Sequence, residues 1–276
     1  MQNTPMQNTE PTPVTPTATH EAVRARYGEI ARGASSCCAP SCCSPSADGR
    51  PDAAMIGYSA EQQAAAPTGA DLGLGCGNPQ AIADLKPGEV VIDLGSGAGF
   101  DCFLASAAVG PTGRVIGVDM TPEMLALAWK NAATGGFGNV EFRQGHIEAM
   151  PVADQTADVV ISNCVVNLSP DKPAVYREAF RVLKPGGRVA IADVLASETL
   201  TDEERRDVGL LTGCIAGAAP VEDVRAALVA AGFEDVVIRE KPGSAELIQS
   251  WAPGHPLALK VLSATVEARR PALARS

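Results

Sequence analysis

The sequence predicts an α/β protein built on a doubly wound, mostly parallel sheet with helices on both faces. Three observations carry this. From Glu89 onward, short apolar runs alternate with helix-like stretches, the pattern of successive βαβ units. The first run, "EVVIDLG", is unbroken rather than alternating, as expected of a strand buried on both faces. It empties into a glycine turn, and an acid follows about twenty residues later at the end of the next run, the layout of a nucleotide-binding first crossover.

Each element has its own signals. "HEAVRARYGEIARG" reads as a short helix ended by Gly33, and "SAEQQAAAP" as a short helix capped by Ser59. In "GADLGLGCGNPQAIADL", Asn78 is a good N-cap and Pro79 a good first helical residue, so Cys76 falls in a tight loop just before a helix. After the first strand and its glycine turn, "GRVIGVD" is a second strand. "MTPEMLALAWKNAATGG" is a helix with Thr121 as N-cap and Pro122 at its first position. "NVEFRQG" and "ADVVISNCVVNL" are the third and fourth strands, "DKPAVYREAFRVLKPGG" is a helix closed by a Pro-Gly-Gly turn, and "RVAIADV" is the fifth strand. Two helical stretches, "TDEERRDVGLLTG" and "VEDVRAALVAAG", precede two last strand-like runs, "EDVVIREK" and "ALKVLSATVEA". The expected organisation is a disordered tail over 1–20, an N-terminal arm over 21–88, a cofactor-binding core over 89–200 and closing helices and strands over 201–276.

Bulk properties exclude several functions. With 46% hydrophobic and 20% charged residues over 276 positions, the chain can bury a sizeable core. A net charge of −10 repels phosphate backbones, so nucleic acid is not an expected partner. No apolar run reaches the ~18 residues of a membrane span, and the Thr/Pro/Gln/Asn-rich start lacks the basic and apolar regions of a secretory signal. A cytoplasmic monomer is the expectation.

That compartment bears on the eight cysteines. In a reducing environment thiols more often bind metals or catalyse than form structural disulfides. Four of them crowd into "SSCCAPSCC" at Ser35 to Cys43, as the adjacent pairs Cys37–Cys38 and Cys42–Cys43. Adjacent Cα atoms lie about 3.8 Å apart, short of the ~4.4–6.8 Å a disulfide usually spans. These thiols are poor partners for their own neighbours. The others stand singly at Cys76, Cys102, Cys164 and Cys214. Cys164 directly follows the fourth strand, on the sheet edge where ligands of such folds bind. Cys76 precedes the sheet and Cys214 follows the fifth strand, so three thiols from three segments can converge.

"DLGSGAGF" places Gly95, Gly97 and Gly99 between strand and helix, and Asp119 ends the second strand. The spacing is G-x-G-x-G, not the G-x-G-x-x-G of dinucleotide enzymes. Together these features resemble the class I S-adenosylmethionine-dependent methyltransferases over roughly Glu89 to Val194. The resemblance implies seven strands, mostly parallel with the last antiparallel. It implies cofactor contacts at Asp93, Gly95, Ser96, Gly97, Gly99, Asp119, Met120, Ile147, Glu148 and Asn163, with "GHIEAMP" on the adenine side.

Oxygen and nitrogen acceptors of a methyl group usually require a positioned base, and none of His20, His146 and His255 sits in an evident base position. A thiophilic acceptor with its own lone pair needs only thiolates to hold it. The stretches "SSCC", "LGLGCGNP", "VIDLGSGAGFDCFLA", "IGVDMTPEML", "ISNCVVNLSPDK" and "GCIAGA" resemble those of the arsenite methyltransferases. The resemblance implies that Cys76, Cys164 and Cys214 bind trivalent arsenic, free or as a thiol conjugate. It implies that Cys38 forms a disulfide with Cys76 during turnover, and that thioredoxin or glutathione reopens it. It further implies a role in arsenic detoxification. Cys42–Cys43 is an extra pair beside the single pair common in that family. Two other functions fit the residues: methylation of an organic acceptor with the cysteines incidental, and sequestration of soft metals without catalysis. Cys102 is expected to fill space, His146 to be a loop residue beside the adenine, and Asn163 either to line the site or to be structural.

Overall fold

A computed structural model describes residues 15–33, 53–205, 215–251 and 254–273. Its centre is one seven-stranded sheet in the order β3-β2-β1-β4-β5-β7-β6. The strands are β1 (Val90–Leu94), β2 (Arg114–Asp119), β3 (Val140–Gln144), β4 (Ala157–Asn163), β5 (Leu183–Ala196), β6 (Glu234–Glu240) and β7 (Val261–Arg269). The pairs from β3 through β5 are parallel, and β7 runs antiparallel to both β5 and β6. The last strand is thus inserted between the fifth and sixth, so the closing segment belongs to the same sheet as the core.

The two-residue period of the strands sorts side chains onto two faces. Val91, Val159, Ile161 and Ala190 join one apolar cluster with Phe103 and Ala128. Their neighbours Ile92, Val160, Val189 and Ile191 join the other with Tyr176, Val182 and Leu228. The first cluster is covered by α4 (Phe100–Val109) and α5 (Pro122–Gly135), the second by α6 (Lys172–Val182) and the helix Val221–Ala230. The long α1 (Pro16–Ala31) and the short α2 (Ala60–Ala65) and α3 (Gln80–Ala83) precede the sheet. No helix among the described residues is long and apolar enough to cross a membrane.

Several boundaries differ from the expected ones. α1 begins at Pro16, not His20: Thr15 accepts the Ala18 amide at 3.3 Å and proline occupies the first position, so residues 16–20 of the expected tail are helical. Asn78 accepts the Ala81 amide at 3.3 Å, although α3 itself starts after Pro79. Thr121 precedes α5 but makes no side-chain cap. The Pro-Gly-Gly segment lies inside β5, where the ladder to β4 jumps from Ala157↔Leu183 to Val159↔Arg188, rather than ending α6 as a free turn. β4 stops at Asn163, and Val166–Leu168 is a 3-10 turn instead of more strand. Only Asp202–Arg205 of "TDEERRDVGLLTG" is described as helix. The helix Ser244–Trp251 had no counterpart in the expectations.

A candidate cofactor pocket beside a thiol pair

The parallel strands β1, β2, β4 and β5 bring their carboxyl ends to one edge. Gly95 leaves β1 with φ +66, and a Cβ there would fall 2.3 Å from Val165 Cγ2. Only glycine meets both constraints. Asp119, at the end of β2, is held from two sides: the Gly97 amide donates to Oδ2 at 2.9 Å and the Thr121 amide to Oδ1 at 2.8 Å. The Thr121 side chain also bonds to Asp119, and it makes no cap to α5. Burial raises the Asp119 carboxyl above its ordinary value, and those amides oppose the rise.

Gly95, Asp119 and Met120 line a pocket with Gly145, His146, Ile147 and Glu148 from the loop after β3. Val165, Leu168 and Ser169 close its far side, and His20, Val23 and Tyr27 of α1 form a further wall. Glu148 Oε1 accepts from Ser169 Oγ and lies 3.0 Å from His20 Nε2. The other expected cofactor residues stand elsewhere. Asp93 is buried behind the glycine turn, where it takes the Cys102 thiol at 3.2 Å. Burial, and then the nearby Asp101, push the Asp93 carboxyl well up. Ser96 packs its hydroxyl toward Gly117 with no hydrogen-bond partner among the described residues. Gly97 contributes its amide to Asp119, and Gly99 starts α4 at φ +93. Asn163 does not line the pocket.

Asn163 instead builds the second half of the site. Its Oδ1 accepts the Cys76 amide at 3.0 Å, and its Nδ2 donates to Gly77 O at 2.8 Å and Tyr58 Oη at 2.9 Å. A Cβ on Gly75, at φ +128, would strike Asn163 Nδ2 at 2.8 Å, so the loop can approach this closely only as glycine. The Cys76 carbonyl accepts from Ser263 Oγ at 2.9 Å and Lys241 Nζ at 3.3 Å. Three remote segments therefore converge on Cys76, at Asn163, Lys241 and Ser263.

Cys164 turns out of β4 with φ +58, a costly conformation for a residue with a Cβ. Its amide still donates to Ala192 O at 2.8 Å. Cys76 and Cys164, 88 residues apart, have Cα atoms 5.7 Å apart and sulfurs joined in a disulfide. This is not the Cys38–Cys76 pairing implied by the resemblance. Thiols aimed at one shared atom are, by the same geometry, close enough to join each other. Cys38, Cys42, Cys43 and Cys214 lie outside the described residues. Around the pair lie Leu168, Val194, Leu200, Ile215 and Leu257, an apolar shell with Val23 of α1 at its border.

Five polar side chains around the thiols, Asp193, Tyr58, Asp101, Lys241 and Ser263, had no role in the expectations. An Asp193 oxygen and the two sulfurs lie within 4.8 Å of one another. Asp193 accepts the amides of Val194 at 2.8 Å and Asn167 at 3.3 Å, and burial still pushes its carboxyl up to about 7. Tyr58 Oη lies 2.8 Å from Asp101 Oδ1, linking the Asn163 network to α4. Asp101 stood inside a quoted motif, and Asp193 inside a predicted strand. Nothing local marked Lys241 or Ser263. Cys102 is fully buried on α4 and bonded to Asp93; burial raises its thiol well above the ordinary value.

Comparison with known proteins agrees with this layout. Residues 85–234 match a methyltransferase-domain family model. The chain is similar to the arsenite methyltransferase of Halobacterium salinarum, 51% identical over 265 residues, covering 93% of this chain and 68% of that one. It is similar to the human arsenite methyltransferase at 42% identity over 137 residues, 46% of this chain and 36% of that one. The chain thus spans about two thirds of the haloarchaeal relative and about a third of the human one. Among solved structures, the arsenic(III) S-adenosylmethionine methyltransferase of Chlamydomonas reinhardtii superposes with a TM-score of 0.59 at 33% identity, covering 81% of this chain and 74% of that one.

Proposed function

The chain belongs to the arsenite methyltransferase family, and on that membership we propose that it methylates trivalent arsenic held by cysteine thiolates, as part of arsenic detoxification in the cytoplasm. The observation that carries the reading is the meeting of Cys76 and Cys164 in an apolar cluster that shares Val23 and Leu168 with the wall of the Asp119 pocket. Bound S-adenosylmethionine supplies an electrophilic methyl group on a sulfonium centre. Asp119, already oriented by the Gly97 and Thr121 amides, keeps lone pairs for the ribose hydroxyls. Met120 and Ile147 offer apolar contacts to the adenine, and the bare backbone at Gly95 admits the chain of the cofactor at close range.

Reduced Cys76 and Cys164, with Cys214 as third ligand, hold arsenic as a pyramidal trithiolate whose lone pair faces the methyl group. No base is needed, because the acceptor carries no proton. Transfer of the methyl cation to that lone pair raises arsenic to the pentavalent state. Two thiols return two electrons by closing a disulfide, Cys38 with Cys76, and an external thiol system such as thioredoxin or glutathione reopens it by exchange. The Cys76–Cys164 disulfide is an oxidised form of the binding pair, so the same exchange must precede arsenic binding. A monomer contains every group this requires.

The test incubates the purified protein with arsenite, S-adenosylmethionine and excess glutathione, then separates the arsenic species by chromatography with mass detection. Methylated arsenic is expected from the wild type and none from Cys164→Ser. Near-wild-type product from that variant would sink the thiolate mechanism and leave an ordinary organic acceptor as the reading to pursue.

A further inference from the structure

His20, His146 and Glu148 stand outside the chemistry just described, yet they meet at the mouth of the cofactor pocket. His20 comes from α1; His146 and Glu148 are two residues apart on the loop after β3. The His20 and His146 rings lie 4.5 Å apart between centroids, and His20 Nε2 lies 3.0 Å from Glu148 Oε1. One nitrogen from each histidine and one carboxylate oxygen all lie within 4.8 Å of one another. The Glu148 and His20 side chains are partly buried, 14% and 26% exposed, His146 is exposed, and Ser169 donates to Glu148.

We infer that these three side chains form a site for a divalent transition-metal ion of the zinc type, which fastens α1 across the mouth of the cofactor pocket. Two imidazoles and a carboxylate are a known zinc donor set that leaves a fourth position open to water. Zinc lies about 2.0–2.2 Å from such donors, so atoms sharing it tetrahedrally sit ~3.4 Å apart. The three donor atoms, now within 4.8 Å of one another, must therefore draw together when the ion binds. The surroundings favour a cation: the pocket is lined by Asp119 and Glu148 and by no lysine or arginine. Ser169 then plays the outer role, holding the ligating carboxylate in place. Softness separates this site from the thiols. Imidazole and carboxylate suit zinc, while the soft trivalent arsenic goes to sulfur.

The site has a consequence for the cofactor. Val23 and Tyr27 of the same helix also line the pocket, so an ion that holds α1 down stabilises the wall against which the cofactor packs. Linkage then requires the ion and the cofactor to strengthen each other's binding.

The test uses the full chain with its thiols alkylated by N-ethylmaleimide, dialysed against zinc. One retained equivalent is expected in the wild type, with at least tenfold weaker retention in His20→Ala and in His146→Ala. S-adenosylhomocysteine affinity should rise several-fold with zinc in the wild type and stay unchanged by zinc in both variants. Cobalt added to the unalkylated chain gives a second readout. The variants should lose visible absorption that carries no thiolate charge-transfer band. Equal zinc retention by all three proteins would overturn the site and reduce the cluster to a hydrogen bond that docks α1. Cofactor affinity indifferent to zinc in the wild type would overturn the placement of the ion at the pocket mouth. Neither readout depends on arsenic, so failure here is distinct from failure of the methylation assay.

Discussion

The two halves of the site are made in opposite ways. The cofactor half is mainly backbone and short range: β1, its glycine turn and Asp119 all lie within 30 residues, and the hydrogen bonds that fix Asp119 come from the amides of Gly97 and Thr121. The thiol half is assembled by side chains from Tyr58, the Cys76 loop, Asn163 and Cys164, Lys241 and Ser263. A site that recognises a common cofactor can be carried by one supersecondary unit. Here the two sulfurs stand 88 residues apart in sequence, so only the tertiary fold can bring them to one point.

If the halves are independent, variants should divide cleanly. The largest effect is expected from Cys164→Ser, which should abolish methylation while leaving S-adenosylhomocysteine affinity, read by calorimetry, unchanged. Loss of cofactor binding in that variant would show the halves to be one unit. Next, Asp119→Ala removes the acceptor of two backbone amides and the expected ribose contact. It should weaken cofactor binding by about 10- to 100-fold, in keeping with ~1.5–3 kcal/mol for hydrogen bonds to a charged group, and leave capture of a trivalent arsenical by the thiols intact.

Asn163→Ala sharpens the comparison at the junction. It orphans the buried Cys76 amide and Gly77 carbonyl, costing about 1–3 kcal/mol of stability. It should raise the KM for arsenite with little change in cofactor affinity; a change confined to the cofactor would return Asn163 to the pocket.

Asp193 provides a pH readout of the thiol half. Its folded carboxyl titrates at about 7, above the ordinary value of 3.8. The folded state therefore holds a proton that the unfolded state has released. This contribution is greatest below the unfolded value and is lost as pH rises through about 7. Stability should fall by at most ~1.4 kcal/mol per pH unit between those limits, and Asp193→Asn should flatten that slope in urea melts. An unchanged slope would remove Asp193 from the account. The smallest effect belongs to Cys102→Ser, whose hydroxyl can still donate to Asp93. Methylation should stay within about twofold, and stability should change by only ~1 kcal/mol because the buried hydroxyl keeps a hydrogen-bond partner. A large loss of arsenic binding would mean that the thiol half extends into α4.

Much of this was legible in the chain. Uninterrupted apolar strands, the glycine turn and the acid at the end of β2 are local consequences of backbone geometry, so their spacing in sequence is their spacing in space. The topology rule alone put Cys164 at the ligand edge. Boundaries slipped where a neighbour outweighed a local signal. Thr121 looks like a cap, but its side chain bonds to Asp119. Lys184 to Gly187 look like a turn, and they form an unpaired excursion between the Leu183 and Arg188 rungs to β4, tied through Gly186 and Gly187 to the Arg270 backbone. Asn163 is open to either reading from sequence, lining the site or structural, and its amide is occupied by the Cys76 loop.

By itself the sequence determined the α/β class, the parallel core, the cofactor turn and the residue types able to hold a soft acceptor. These depend on periodicity, glycine and proline placement and thiol chemistry, all of which act within a few residues. The tertiary structure alone decided that β7 enters between β5 and β6. That insertion puts Ser263, and Lys241 after β6, beside the Cys76 carbonyl. It also decided that Cys76 meets Cys164, and that α1 walls the pocket with His20 against Glu148. Such contacts join residues about 90 to 190 positions apart. Their partners are chosen by how whole layers pack and not by any preference written into the intervening chain.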